Sequence, residues 1–404
     1  VKDLAEFVFR RTEGNPFFIT ELLKQLTKEE SISFDYDNGK WKWNIDKIKS
    51  TRISENVVEL LIGRIQKLSE KTQNILKLAS CIGNNFELAT LSLINQSSPR
   101  ETAKDLEETI LEELIYPVGD NYRFVDSMGT ELKDITKNYQ TAKTITYKFQ
   151  HDRIQQASYE LIGDSEKKTL RLKIGRILLK NEGWEENLFD VVNHLNIGSD
   201  LISEESEKKH LIELNLQAGK RAKTSTAYKP ALEYLRQAVI VINSIDSIWE
   251  KYYDLTLSVY KELAEVEYLN GNFENSEKFI NLILEYAKTP VEKAEAHKIY
   301  IIQNILTANF TKALDALVEA LKPLGVSLSR ENVLESLGEE TKLLKESIRN
   351  IEVKTLYDRP DVLDKGKKIA IQLLSHSMPA AYNTDPLLWT LIALKSVNLM
   401  IEFG

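Results

Sequence analysis

A single cysteine among 404 residues rules out any intrachain disulfide. That agrees with a reducing, cytoplasmic setting, and Cys81, in an apolar stretch with Ala79 and Ile82, reads as a buried, inert thiol. Histidine is also scarce. His151, His194, His210, His297 and His376 are scattered and form neither a Cys/His cluster nor a His-Glu-x-x-His, so a zinc site has no ligand set. No Gly-x4-Gly-Lys-Ser/Thr occurs. Gly39-Lys40, Gly219-Lys220 and Gly366-Lys367 lack the upstream glycine and the following hydroxyl, so this chain alone cannot cradle phosphates in that manner. No nucleophile–base spacing stands out, and the chain reads as non-catalytic by itself. No apolar run approaches the roughly 20 residues that cross a bilayer, and no signal peptide is expected. Net charge is −8, which disfavours binding to nucleic acid, a polyanion held mainly by lysine and arginine.

What is present is helical. Nine prolines and sixteen glycines leave room for long helices, and apolar residues recur with a 3.6-residue period nearly everywhere. The length suggests two or three domains. Val1 is not a start methionine and both ends fall within helical patterns, so the chain reads as an internal piece of a longer polypeptide. One stretch departs from the helical period. From Ile32 to Trp43, aromatics alternate around Asn38-Gly39, whose tolerance of positive φ predicts a β-hairpin. Phe34, Tyr36, Trp41 and Trp43 share one face of it, which is expected to cap a neighbouring core.

Four helices are then predicted: one from Ser54 to about Lys67 with Ser54 as cap, one from about Glu70 to Ile82 ending at Gly83, one over Leu88–Ile94, and one after Pro99. Leu114–Val118, or Tyr122–Val125, can pair with Thr144–Gln150, around a polar loop from Asp126 to Lys143 long enough to serve a partner. Helices followed by a β-ribbon is the order of a winged-helix domain. Such domains can place a helix in the DNA major groove, but Phe86–Gln96, in the corresponding position, has no lysine or arginine and carries Glu87. No DNA contact is expected.

Beyond about Glu166 the chain is helix after helix. Tyr228–Leu235, Phe273–Ile280 and Phe310–Leu317 align, each with an aromatic, a small residue at i+3 and an aliphatic one at i+7. The small residue lets two helices approach closely. The aromatic anchors are 45 and 37 residues apart, so the linkers between units vary in length. The segments resemble divergent tetratricopeptide repeats, with Asn270-Gly271-Asn272 as the inter-helix turn and Leu321–Val326 closing one unit. A plain α-bundle is the alternative. The fold class is mainly α: a lid helix with hairpin over 1–50, a winged-helix domain over 51–163, and tetratricopeptide-like helical pairs over 164–404.

Two short motifs remain. In Thr12-Glu13-Gly14-Asn15-Pro16-Phe17-Phe18, Gly14 permits a turn, Asn15 caps a helix, and Pro16 takes the first helical position, where a missing N–H is harmless. In Phe149-Gln150-His151-Asp152-Arg153, followed by Gln155-Gln156-Ala157, a strand gives way to a helix whose N-terminus can bind phosphate. The first motif resembles the Gly-x-Pro segment of STAND-type signalling ATPases, in the Gly-Asn-Pro-Phe-Phe form found in large sensor kinases. The resemblance implies that Pro16 lies beside the adenine of bound nucleotide, with Gly14 shaping the approach. The second stands where those proteins have a Met-His-Asp motif, although Gln150 takes the place of methionine. It implies His151 as a diphosphate sensor with Asp152 and Arg153 in the surrounding polar network. The alternative is Asp152 as an ordinary helix cap with His151 packed beside it.

The resemblance further implies ATP or ADP as cofactor, with Mg supplied by a P-loop domain upstream in the same polypeptide, and kinase modules elsewhere in it. A protein or small-molecule partner would bind the helical repeats. Competing expectations are an interaction scaffold and a winged-helix transcription regulator.

Overall fold

Period-3.6 patterning and scarce proline produce a mainly α protein, with two small antiparallel sheets among the described residues. The computed structural model describes residues 1–50, 57–127, 141–181, 183–349 and 361–403. The expected Ser54 cap and most of the Asp126–Lys143 loop lie outside them. Packing divides the chain into two units, Val1–Trp184 and Glu185–Gly404.

The first unit opens with α1 (Lys2–Thr12) and α2 (Pro16–Lys28), then a hairpin of β1 (Ile32–Asp35) and β2 (Lys40–Trp43), then α3 (Ile45–Ser50). Val8, Leu22, Leu26, Ile32 and Ile48 form its local core. The strand register pairs Ile32 with Trp43 and Phe34 with Trp41, so the aromatics do share a face. Only the Trp43 end of that face meets the core, however. Tyr36 is 89% exposed and Trp41 56%, which corrects the expectation that the aromatic face caps a core. The turn also differs from a tight Asn-Gly hairpin. It spans four residues, Tyr36–Gly39, only Gly39 has positive φ, and the Asp35 carboxylate accepts from the Asp37 and Asn38 amides.

Next come α4 (Val57–Ile65), α5 (Glu70–Ile82), β3 (Asn85–Glu87), α6 (Leu88–Asn95), α7 (Pro99–Leu111), β4 (Ile115–Val118), a 3-10 turn (Asn121–Ser127), β5 (Thr146–Phe149), α8 (Asp152–Glu160) and α9 (Asp164–Leu179). Ser69 caps α5, and Ser98 with Glu101 forms a capping box on α7. The strands order β3-β5-β4, so β5 is central. The helix expected over Leu88–Ile94 is α6, while Phe86 and Glu87, the first residues of the segment in the groove-helix position, belong to β3, which is too short to leave a period in the sequence. Of the two candidate strands after α7, Ile115–Val118 pairs and Tyr122–Val125 lies in the 3-10 turn. Phe86, Tyr147 and Phe149 from the sheet meet Leu61, Ile65, Leu76 and Leu106 from the helices in one core. Cys81 is free and buried, and that burial pushes its thiol pKa up.

The second unit stacks helices in pairs: α10 (Leu188–Ile197), α11 (Glu205–Thr224), α12 (Tyr228–Ile242), the single turn α13 (Ile248–Lys251), α14 (Tyr253–Leu269), α15 (Phe273–Tyr286), α16 (Pro290–Leu306), α17 (Phe310–Leu321), α18 (Val333–Ile348), α19 (Lys365–Thr384) and α20 (Pro386–Phe403). Tyr228, Phe273 and Phe310 are each the first residue of the second helix in a pair. The i+3 residues Ala231, Ser276 and Ala313 are fully buried, and so are the i+7 residues Leu235, Ile280 and Leu317. Each pair turns through three residues, and the middle one (Thr226, Gly271 or Ala308) has positive φ. The approach is tightest at Gly219, where an added Cβ would lie 2.8 Å from Leu235 Cγ. In length and composition α20 suffices to cross a membrane, with mean hydropathy 1.3. Yet it buries Leu388, Leu391 and Ile392 in the second unit's core, and its Lys395 pairs with the buried Glu340 of α18.

Two outcomes are expected from this packing. Gly219→Ala gains about 1 kcal/mol of helix propensity but overpacks Leu235 at a cost of about 1–3 kcal/mol, so it destabilises by about 1 kcal/mol in a urea melt followed by circular dichroism. Burial holds the imidazoles of His297 and His376 below their ordinary value of 6.5, with nearby Lys293 and Lys298 acting in the same direction and Glu319 opposing at His297. The unfolded chain therefore binds more protons below that value, and the stability present above it is lost as pH falls. The urea midpoint falls between pH 7.5 and 5.5, and His297→Leu flattens that fall.

Candidate functional site

The two motifs singled out in the sequence meet. At the first, Glu13 and Gly14 are both left-handed, with φ of 51° and 80°, and swing the chain from α1 into α2. A Cβ at 14 would also lie 3.2 Å from the exposed Phe9 ring, which would have to shift slightly. The Asn15 side chain accepts from the amides of Phe17 at 3.1 Å and Phe18 at 3.3 Å, and Pro16 opens the helix. Pro16 itself is exposed. The residue that reaches the second motif is Phe17, whose ring stacks on His151 with centroids 4.0 Å apart and planes 12° apart.

His151 comes just after the central strand β5. The Phe149 amide donates to Asn84 O and the Gln150 amide to Leu114 O, which fixes the end of the strand. His151 is extended (φ −152°, ψ 149°) and is itself the N-cap of α8, its Nδ1 accepting from the Arg153 amide at 3.2 Å. This corrects the alternative in which Asp152 is the cap: Asp152 is the first helical residue, and its carboxylate contacts His151 Nδ1. Arg153 donates to Gln156 Oε1 at 2.7 Å, and Gln156 donates to Glu160 at 2.9 Å. Gln155 donates to Ser80 O and fastens α8 to α5. The imidazole therefore has one face on Phe17 and its Nδ1 edge on the helix start. A third of the side chain is exposed.

A second contact holds α2 in place. Arg64 of α4 donates to the Glu21 carboxylate at 2.7 Å and bonds both the carboxylate and the carbonyl of Glu112 beyond α7. Glu21 is only 6% exposed. Lys24, one turn on, pairs with Glu113. A cavity of about 290 Å3 opens between α2 and α4, lined by Gln25, Lys28, Gly63 and Lys67 as well as by this cluster. Phe17 had a signal in the Gly-Asn-Pro-Phe-Phe motif. Arg64 had none, because its partners are 43 and 48 residues away.

Among the described residues no group of three or more His, Cys, Asp or Glu is placed to hold a metal ion. The donor set at the α8 start, one imidazole edge and the Arg153 guanidinium, fits an anionic group such as a phosphate. It lacks the row of backbone amides that would enclose one.

Arg64→Ala takes the nearer cation from the buried Glu21 carboxylate and leaves it only Lys24 Nζ at 3.6 Å, a loss of a charged hydrogen bond that costs about 2 kcal/mol. Phe17→Ala removes an aromatic pair worth about 1 kcal/mol beyond its area. Both variants should lower the melting temperature, with α2 gaining amide exchange before the rest of the first unit.

Residues 1–40 match a family described as a domain of unknown function (DUF8739). Over 99% of its length the chain is 26% identical to hybrid signal transduction histidine kinase G of Dictyostelium discoideum, covering 13% of that protein. Over 82% of its length it is 21% identical to peroxide stress-activated histidine kinase mak3 of Schizosaccharomyces pombe, covering 14%. The chain thus spans a small part of the curated relatives it matches, and what it resembles in each is one segment of a signalling histidine kinase.

Proposed function

We propose that this chain is the regulatory arm of a STAND-type signalling ATPase associated with a histidine kinase. The observation that carries the reading is the stack of Phe17 on His151, which brings the lid turn and the sensor-like helix start to one place although they are some 135 residues apart. In this reading α1–α2 with the hairpin is the end of an ATPase lid, and the winged-helix domain is residues 51–163. The phosphate-binding loop and Mg belong to a P-loop domain upstream in the same polypeptide. Bound ADP or ATP supplies the charged phosphates that distinguish two states of the protein. Gly14 and Pro16 border the base. His151, whose Nδ1 accepts from the Arg153 amide, carries its proton on Nε2 and donates it to a terminal phosphate oxygen. Arg153 adds positive charge at the helix start, and Asp152, the first helical residue, belongs to the same polar network.

Magnitudes favour a shared mechanism. A full reversal of a two-state switch needs about 5.5 kcal/mol of differential binding. One hydrogen bond to a charged phosphate supplies about 1.5–3 kcal/mol, so the Phe17 stack and the Arg64 cluster must change together with it. Occupation of the helical pairs by a partner would favour the state in which these contacts are broken. A cytoplasmic setting suits a chain whose one cysteine is a free, buried thiol. DNA binding has less support: α6 buries Leu88, Ala89, Leu91 and Ile94, which leaves little of it for a groove.

The test is nucleotide affinity in the full-length protein. His151→Ala should weaken ADP binding by roughly 10-fold or more while ATP affinity changes less, as expected for a lost hydrogen bond to a charged group. Equal affinities before and after the substitution would remove the sensor and favour a scaffold whose nucleotide motifs no longer act.

A further inference from the structure

The spacing between anchor aromatics shrinks from 45 to 37 residues, and the extra length has a location. Three residues, 287–289, join α15 to α16, whereas ten, 243–252, join α12 to α14. Insertions in helical repeats collect on one face, often the binding face. This one contains α13, launched by Ser247 at φ 54°, a left-handed conformation that costs a residue with a Cβ about 1 kcal/mol.

The turn carries Trp249 onto the neighbouring pair. Its ring is parallel to Tyr260 within 10° at 5.5 Å and to Tyr286 within 8° at 4.4 Å. The stack therefore runs from Tyr260, which is buried, through Trp249 to Tyr286, which is 39% exposed. Beside it lies a cleft of about 550 Å3, within the range of ligand sites. Asp246 and Glu250 line this cleft, both exposed and neither in a salt bridge among the described residues. Lys288, an exposed residue of the lining, has its Nζ 3.8 Å from the Tyr253 ring centroid, so one ring of the cleft already carries a cation.

We infer that this cleft binds an arginine side chain of a protein partner. A guanidinium is planar, so it can extend a stack of parallel rings at the open Tyr286 end while its N–H groups bond the free carboxylates. A lysine ammonium satisfies the charge but not the stack, and an apolar side chain satisfies neither. The site lies wholly within the second unit and needs no nucleotide, so it stands or falls apart from the switch.

The test titrates the full chain with N-acetyl-arginine amide and reads the tryptophan fluorescence that is lost in Trp249→Phe. A saturable change is expected, at least five-fold weaker with N-acetyl-lysine amide and absent with N-acetyl-leucine amide. Glu250→Gln, an exposed substitution that leaves the stack intact, should weaken the arginine derivative by a similar factor. No saturable response, a response as strong to the lysine or leucine derivative, or one unchanged by Glu250→Gln would overturn the assignment.

Discussion

The first unit depends on how α2 is held. Two contacts of different physical kind fix it, a ring stack at its first turn and a buried carboxylate–guanidinium cluster one turn later. The stack is short-ranged and insensitive to salt. The cluster is directional, and because Glu21 is almost wholly desolvated, losing the Arg64 partner costs far more than an exposed pair would. Together they determine both where the helix lies and how it is rotated. His151 makes the arrangement cooperative, because the same imidazole caps α8 through Nδ1 and supports Phe17 through its face. A rotation of that ring uncaps one helix and releases another.

Uniform turns inside the pairs and linkers of unequal length between helices organise the second unit. The three-residue turns inside the pairs place one left-handed residue each, and only Gly271 of the three is a glycine. Thr226 and Ala308 accept the strain because burial of the adjoining anchor set outweighs it: each buried aliphatic contributes about 1.5–3 kcal/mol against about 1–2 kcal/mol for the backbone. Charge then runs between the first helices of neighbouring pairs, from Lys223 to Glu262 and Glu265, and from Lys261 to Glu295. Half-buried pairs of this sort fix register more than they add stability.

The features legible in the sequence were the local ones. The Asn15–Pro16 helix start, the alternation of the hairpin and the aromatic–small–aliphatic segments each arise from residues within one or two turns, and they stand where expected. Other features depend on contacts distant in sequence. Alternation predicts that Phe34 and Trp41 share a face, but not whether another element covers it. Asp152 is by composition the better cap than His151. The chain leaves β5 in an extended path that carries one residue further, and so the imidazole takes that position. Arg64 is one arginine on an amphipathic helix until α2 and the end of α7 converge on it. At the site, His151 was named from its motif and makes the contact, whereas on the other side the named residue, Pro16, stands beside the one that does, Phe17.

That displacement by one residue has a physical reason. A proline at the first helical position has no amide to donate and is valuable because its φ is fixed, so it orients the next turn of helix instead of binding. The ring at the second position then leaves the helix at an angle set by Asn15 and the left-handed pair Glu13-Gly14. A rigid start is what a stacking contact needs, since offset rings lose most of their attraction once the separation grows by an ångström or two. Gly14 and Pro16 therefore bear on His151 through Phe17. In the proposed switch, the lid would register a change at the phosphate only while that ring remains seated.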